Sequence, residues 1–262
     1  PATTAANAPV FCVLGSDPVT LANSTVTQQG AGREFLFMVG FGISGIPGNG
    51  NLVLENSTVT APGTGVLVAL RLAGVRFTAT GSTLTGGSST IRRVGVEAPT
   101  NSVITLTGTT VQNVNGTAIE LDGAFGGSTL RITGGEMRNI QGSALRLASG
   151  NLDARLRNVA ISNTGISQGD GAVVLFGDAT SLYDLGTAAN PGGNIILGNS
   201  TTRPGLRVGV AGGVTVNAVG NTWVANQQGA SGTGTYSSNL LVNSGSGQNY
   251  VISGGSLRLS GN

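Results

Sequence analysis

A short rhythm of apolar and polar positions returns along this chain at a nearly fixed interval. Leu21-Ala22-Asn23-Ser24-Thr25-Val26-Thr27 comes back as Leu54-Glu55-Asn56-Ser57-Thr58-Val59-Thr60. The same order recurs around Leu84, Val111, Met137 and Ile161, so that from Val59 onward the repeated apolar position is spaced by 25, 27, 26 and 24 residues. A repeat of that length built from short alternating runs predicts a β-solenoid, because one unit cannot bury its apolar face alone and stacking makes the core continuous. Alternation with a period of two sends one set of side chains inward. Stretches with a helical period are absent.

A second series of apolar pairs, Val66/Val68, Val94/Val96, Ile119/Leu121, Leu145/Leu147 and Val173/Leu175, keeps nearly the same interval. Each coil therefore carries at least two strand faces. Corners rich in Gly, Asn and Ser join them, since Gly and Asn accept the positive φ that tight corners need. The expected fold is all-β, a right-handed parallel β-helix with coils of about 24–28 residues. Residues 18–262 are expected as one solenoid domain with an irregular segment near 182–194, and residues 1–17 as an N-terminal arm or cap. The first interval, from Val26 to Val59, is 33 residues. It reads as a coil swollen by an apolar insert containing Phe35, Leu36, Phe37, Met38, Val39 and Phe41, which serves equally as an interface or as the core of a wider coil.

Composition supports stacked coils over a compact α/β enzyme: 45 Gly in 262 residues, 9% charged and 4% aromatic. All 13 basic residues are Arg, and the net charge is only +2. The longest basic run is Arg92-Arg93, without interleaved aromatics, which argues against a nucleic-acid partner. Glu120 and Arg146 each sit between the two apolar residues of a strand, one coil apart. They should meet outside the core as a surface pair worth about 0–1 kcal/mol. No apolar run is long enough for a membrane-spanning helix. The small, uncharged residues from Pro1 to Ala8 read as the remainder of a processed secretion signal, so an extracellular or cell-surface location is expected. Cys12, the single cysteine, lies among Val10, Phe11, Val13 and Leu14 and is expected to be a buried thiol.

With no His and one Cys, the ordinary zinc sets are excluded. The chemistry offers no catalytic residue, no metal site and no cofactor site. Coil length and the Asn/Gly corners resemble the pectin-lyase-like right-handed β-helix superfamily, which includes pectin lyases, polygalacturonases and phage tailspike hydrolases. For an enzyme of that kind the resemblance implies a basic proton abstractor or converging carboxylates. Lys and His are missing, and the nearest acidic set is Asp170, Asp178 and Asp184, with Trp223 as a ring for stacking on sugar. These four residues define an alternative in which an extracellular polysaccharide is bound or cleaved. Against it, Asp is a common corner residue and Trp223 suits a core or cap position. Thr-x-Thr pairs (Thr25/Thr27, Thr58/Thr60, Thr83/Thr85) raise an adhesin or ice-binding face, but the ladder breaks at Thr110/Gln112 and is lost at Glu136/Arg138.

The remaining surface is Ser, Thr, Asn and Gly, which loses little when two copies meet because few charges need matching. Solenoids normally cap the open strand edges at their ends. The segments containing Tyr250, Val251, Leu257 and Leu259 read as strands with no cap after them. Uncapped ends favour head-to-tail contacts, which generate open filaments. In this respect the chain resembles secreted bacterial matrix-filament solenoids of the perfilin-like kind, which implies a non-enzymatic structural subunit, a matrix or biofilm fibre whose partner is itself. The expected contacts are Val10, Phe11, Cys12, Val13 and Leu14 on an arm that adds a strand to a neighbour. Phe35, Phe37 and Phe41 of the insert, and Tyr250, Val251, Leu257 and Leu259 at the other end, complete the set.

Overall fold

A computed structural model describes residues 9–28, 35–40, 49–61, 64–71, 73–93, 100–122, 126–165, 171–197, 204–224, 234–237, 241–244, 247–254 and 256–260. Every regular element among them is a strand, and the strands fall into three sheets visited in turn. The first sheet stacks Pro9–Val13, Phe35–Val39, Val66–Leu70, Ser89–Arg93, Ile119–Asp122, Leu145–Ala148, Val173–Gly177, Leu206–Val210 and Gly247–Gly254. The second stacks Val19–Ala22, Asn51–Glu55, Arg76–Thr80, Val103–Thr107, Thr129–Thr133, Asp153–Arg157, Leu182–Asp184, Thr215–Val219 and Ser256–Ser260. The third stacks Thr25–Thr27, Thr58–Ala61, Thr83–Gly86, Thr110–Val114, Glu136–Ile140, Ala160–Thr164, Ile195–Leu197 and Thr222–Val224. Every pairing between these strands is parallel. The molecule is a parallel β-solenoid.

Alternation drives this arrangement. Val103–Thr107 and Thr129–Thr133 hide every second side chain while their neighbours stay partly exposed. The hidden residues form columns through the stack. In the third sheet Val26, Val59, Leu84, Val111, Met137, Ile161, Ile196 and Trp223 lie in register, so the repeated apolar position of the sequence is one continuous rib of the core. In the second sheet Leu52, Phe77, Ile104, Leu130, Ala154 and Tyr183 follow one another. The small Ala154 beside the large Tyr183 keeps that column evenly filled.

The corner from the second to the third sheet holds one conformation in coil after coil. Its left-handed residue is Asn23, Asn56, Gly81, Gly108, Gly134, Asn158, Gly193 and Gly220 in successive coils, with φ between 46° and 68°. Only Gly and Asn visit this region routinely, which is why the repeat reads Asn or Gly there and nothing larger. Next to it runs an internal ladder: the Ser24 amide donates to Ser57 Oγ at 3.1 Å, and the Ser57 amide donates to Ser82 Oγ at 3.1 Å.

Outside the core, Glu120 lies between Arg92 and Arg146 at 3.4 and 3.8 Å, the stacking expected from their register. Three features depart from expectation. Phe35–Val39 is an ordinary strand of the first sheet and not an insert, with Leu36, Phe37 and Val39 buried. The second apolar series slips at one coil. There the strand is Ser89–Arg93, and Ile91 stacks on Val68 and Ile119. It holds one large apolar residue, so Val94/Val96, which lie outside the described residues, gave a stronger but misplaced alternation. The irregular segment is a long corner at residues 185–194, placed between Leu182–Asp184 and Ile195–Leu197 without breaking either sheet. Buried Asn194 holds that corner: its amide group donates to the carbonyls of Leu156 and Leu185 at 3.2 and 3.1 Å, while its oxygen accepts the Val159 amide at 3.0 Å.

Candidate assembly surface

Parallel strands within the stack have neighbours on both sides, so their amides and carbonyls are satisfied between coils. Pro9–Val13 and Val19–Ala22 differ. Each lies at the end of its sheet, and no described strand pairs with its outer side. The stretch expected as an arm therefore contributes, from Pro9 to Val13, the first strand of the solenoid; residues 1–8 lie outside the described residues. The Val13 carbonyl accepts the Gly40 amide at 3.0 Å. Backbone groups point to alternate sides along a strand, so Phe11 and Val13 direct theirs to the next coil while Val10 and Cys12 direct theirs outward.

The apolar core also emerges at this end. Phe11 and Val19 occupy core columns, aligned with Phe37 and Leu52. The Phe11 ring stacks on Phe37 with centroids 5.3 Å apart. Phe37, covered on both sides, is 2% exposed, whereas Phe11 is 46% and Val19 44% exposed. Both have the direction of a core residue, and no described strand lies above them. Val10 and Leu14 add exposed apolar area beside them. Four of the six large exposed hydrophobics among the described residues belong to this first coil. Such clustering marks an interaction surface, unlike apolar residues scattered singly.

Cys12 is exposed, contrary to the buried thiol expected. Its apolar neighbours made it look internal, but it sits on the outward face of an edge strand. Val13, Phe37 and Leu257 are buried in the core of the single subunit. Phe35, Tyr250, Val251 and Leu259 are placed by their backbones in strands of the first and second sheets. Phe41 lies outside the described residues.

At the opposite end the first and second sheets each gain an antiparallel strand, which the sequence reading missed, while the third sheet ends at Thr222–Val224 among the described residues. Gly234–Ser237 pairs antiparallel with Ser256–Ser260, and Leu241–Ser244 pairs antiparallel with Gly247–Gly254. These Gly-, Ser- and Asn-rich segments carry little apolar alternation, and the only signal available was their position ahead of two strand-like runs.

Of the four residues of the polysaccharide alternative, Asp178, Asp184 and Trp223 fall among the described residues. Asp170 lies outside the described residues. Trp223 is buried in the third-sheet core column, so its ring offers no stacking face to a sugar. Asp184 is engaged by Arg157 at 2.6 Å and by the Gly186 amide at 2.8 Å. Asp178 is exposed and accepts the Thr180 hydroxyl at 2.6 Å and the Thr180 amide at 2.8 Å. Those bonds favour the carboxylate and hold its pKa below the ordinary value. No group of three potential metal ligands occurs among the described residues, and no helix is long and apolar enough to cross a membrane.

Tyr183 is the strongly perturbed group. Burial pushes its pKa up to about 12, against the smaller opposing effects of hydrogen bonds with Ser181 and Ser149. Its hydroxyl donates to the Phe176 carbonyl at 2.6 Å. Because the folded state holds this proton more tightly than the unfolded chain, the associated stability is intact below about pH 10 and disappears as pH rises through about 12. The expected loss is about 2–3 kcal/mol across that window. Denaturant titrations between pH 9 and pH 12 read it, and Tyr183→Phe should flatten the slope. An unchanged slope in that variant would assign the alkaline loss elsewhere.

Compared with known proteins, the chain matches no family model, no curated protein and no solved structure.

Proposed function

We propose that this protein is a non-enzymatic extracellular structural subunit that assembles with copies of itself into head-to-tail filaments of a matrix or biofilm type. The observation that carries this reading is the first coil, where outward amides that pair with no described strand coincide with exposed core residues Phe11 and Val19. Unpaired edges recruit strands, and an exposed core cross-section gains from any coil stacked on it. Because the two ends of the solenoid differ, contact between them is heterologous and does not close. Of the residues favoured by the polysaccharide alternative, Asp184 is held by Arg157 and Trp223 is buried, which favours the assembly reading.

Proline at Val10 and Cys12 together tests the proposal. Both amides face outward, so the substitution removes donors that the subunit does not use internally, and proline is tolerated at such edge positions. Negative-stain electron microscopy should show filaments from the parent protein. The variant should lose filament mass by about tenfold or more, since two lost hydrogen bonds cost at least ~1.4 kcal/mol. Its far-ultraviolet circular dichroism should be unchanged. Discrete particles from the parent protein would overturn the reading.

A further inference from the structure

Among the described residues every strand pairing is parallel except two, and both involve the last two strands, Gly247–Gly254 and Ser256–Ser260. After Thr222–Val224 in the third sheet, the chain places Gly234–Ser237 on the edge of the second sheet and Leu241–Ser244 on the edge of the first. It then reverses and runs Gly247–Gly254 along the first sheet and Ser256–Ser260 along the second. The cap strands therefore precede in sequence the strands they cover, as one bent hairpin folded across two sheets. Its inner half is built into the solenoid and its outer half lies on top.

We infer that the outer half of this hairpin is a displaceable cap, holding the place that the first coil of a second copy takes during assembly. The inference rests on the reading that the open first coil receives another copy. Three observations support it. The cap covers the first and second sheets, and these are the sheets entered by the first two strands of the chain, Pro9–Val13 and Val19–Ala22. An incoming first coil can thus continue both sheets at once, in the parallel sense used throughout the stack. The cap strands also pair over a shorter length than a coil. Gly234–Ser237 pairs with Ser256–Ser260 through four positions, whereas Thr215–Val219 pairs through five on the other side of the same strand. Finally, exchange covers Phe11 and Val19, which remain in water while the cap is closed. The free subunit is kept from stacking at this end by its own chain, and growth requires the outer strands to leave.

Reversible locking tests the exchange. Leu241→Cys with Val251→Cys joins facing positions across the first-sheet cap, and Thr235→Cys with Arg258→Cys does so across the second. Both pairs align with Arg207 or Asn217, which are not core positions. Each is made in full-length protein carrying Cys12→Ser, which retains the outward amide, and assembly is followed by light scattering and electron microscopy. Oxidised locked protein should stay as single particles, and reduction with dithiothreitol should restore filaments to the level of the Cys12→Ser parent. Filaments formed equally well by both oxidised variants would overturn the displaceable cap while leaving assembly through the first coil standing. Single particles from the Cys12→Ser parent itself would overturn both.

Discussion

Alanine at Asp184 is expected to destabilise the protein by about 3–5 kcal/mol, the usual cost of removing one partner from a buried ion pair. Arg157 Nη2 lies 2.6 Å from Asp184 Oδ2, and the two side chains are only 13% and 11% exposed. Arg157 also donates to the carbonyls of Leu156 and Asp184 at 2.7 and 3.1 Å, which fixes the guanidinium in place. Its Nε has no partner, so the carboxylate is the main compensation for the buried charge. Removing it also orphans the Gly186 amide at the start of the long corner. Denaturant unfolding at neutral pH measures the loss, and replacing Arg157 by Met and Asp184 by Leu together should recover most of it. A single-variant loss below about 1 kcal/mol would show a pair behaving as if solvent-exposed, and would return Asp184 to the residues available for ligand contact.

Gly135→Ala is the second large effect, expected at about 2–4 kcal/mol from backbone strain plus overpacking. Gly135 has φ of 82°, and an added Cβ would overlap the Thr109 carbonyl oxygen and lie 2.6 Å from the Thr109 nitrogen. Those atoms belong to the backbone of the preceding coil, so no side-chain rotation relieves the contact. Gly108 provides the comparison, since it has φ of 55° with open space around its Cβ position. Gly108→Ala should cost about 1–2 kcal/mol from conformation alone. Gly108→Asn should cost less, because Asn23, Asn56 and Asn158 hold the same corner in other coils. Thermal midpoints of the three variants give the order, and equal losses at both glycines would show that coil spacing adapts to a methyl group.

The contrast between these glycines shows how far the pattern could be read. Sequence marks both as corner residues. It does not reveal that one faces solvent and the other faces the coil beneath, because that depends on how the corner tilts between coils. The same limit applies to the acids. Asp178 and Asp184 are close in sequence and were grouped as one candidate set. Asp178 follows the first-sheet strand Val173–Gly177 and is exposed, whereas Asp184 ends the second-sheet strand Leu182–Asp184, beside Arg157 of the neighbouring strand. Cys12 was misplaced for a related reason. Its neighbours predict burial, but an edge strand at the end of a stack has one covered face and one open face.

The sequence by itself determined the solenoid, the register of the third sheet from Val59 to Ile161, and the surface stacking of Glu120 with Arg146. Each of these follows from local alternation repeated at the coil length, and the register between coils is set because a one-residue slip would turn the whole apolar set outward. Only the tertiary structure decided how the two ends of the stack are finished, with parallel strands at the first coil and an antiparallel hairpin laid over two sheets at the other. Covering an end depends on hydrogen bonds between backbones, which any sequence can make, and Gly- and Ser-rich segments therefore leave almost no pattern to read. Exposure of Phe11 and burial of Phe37 are likewise decided by position in the stack, since both residues point toward the core and only Phe37 has a described strand on each side.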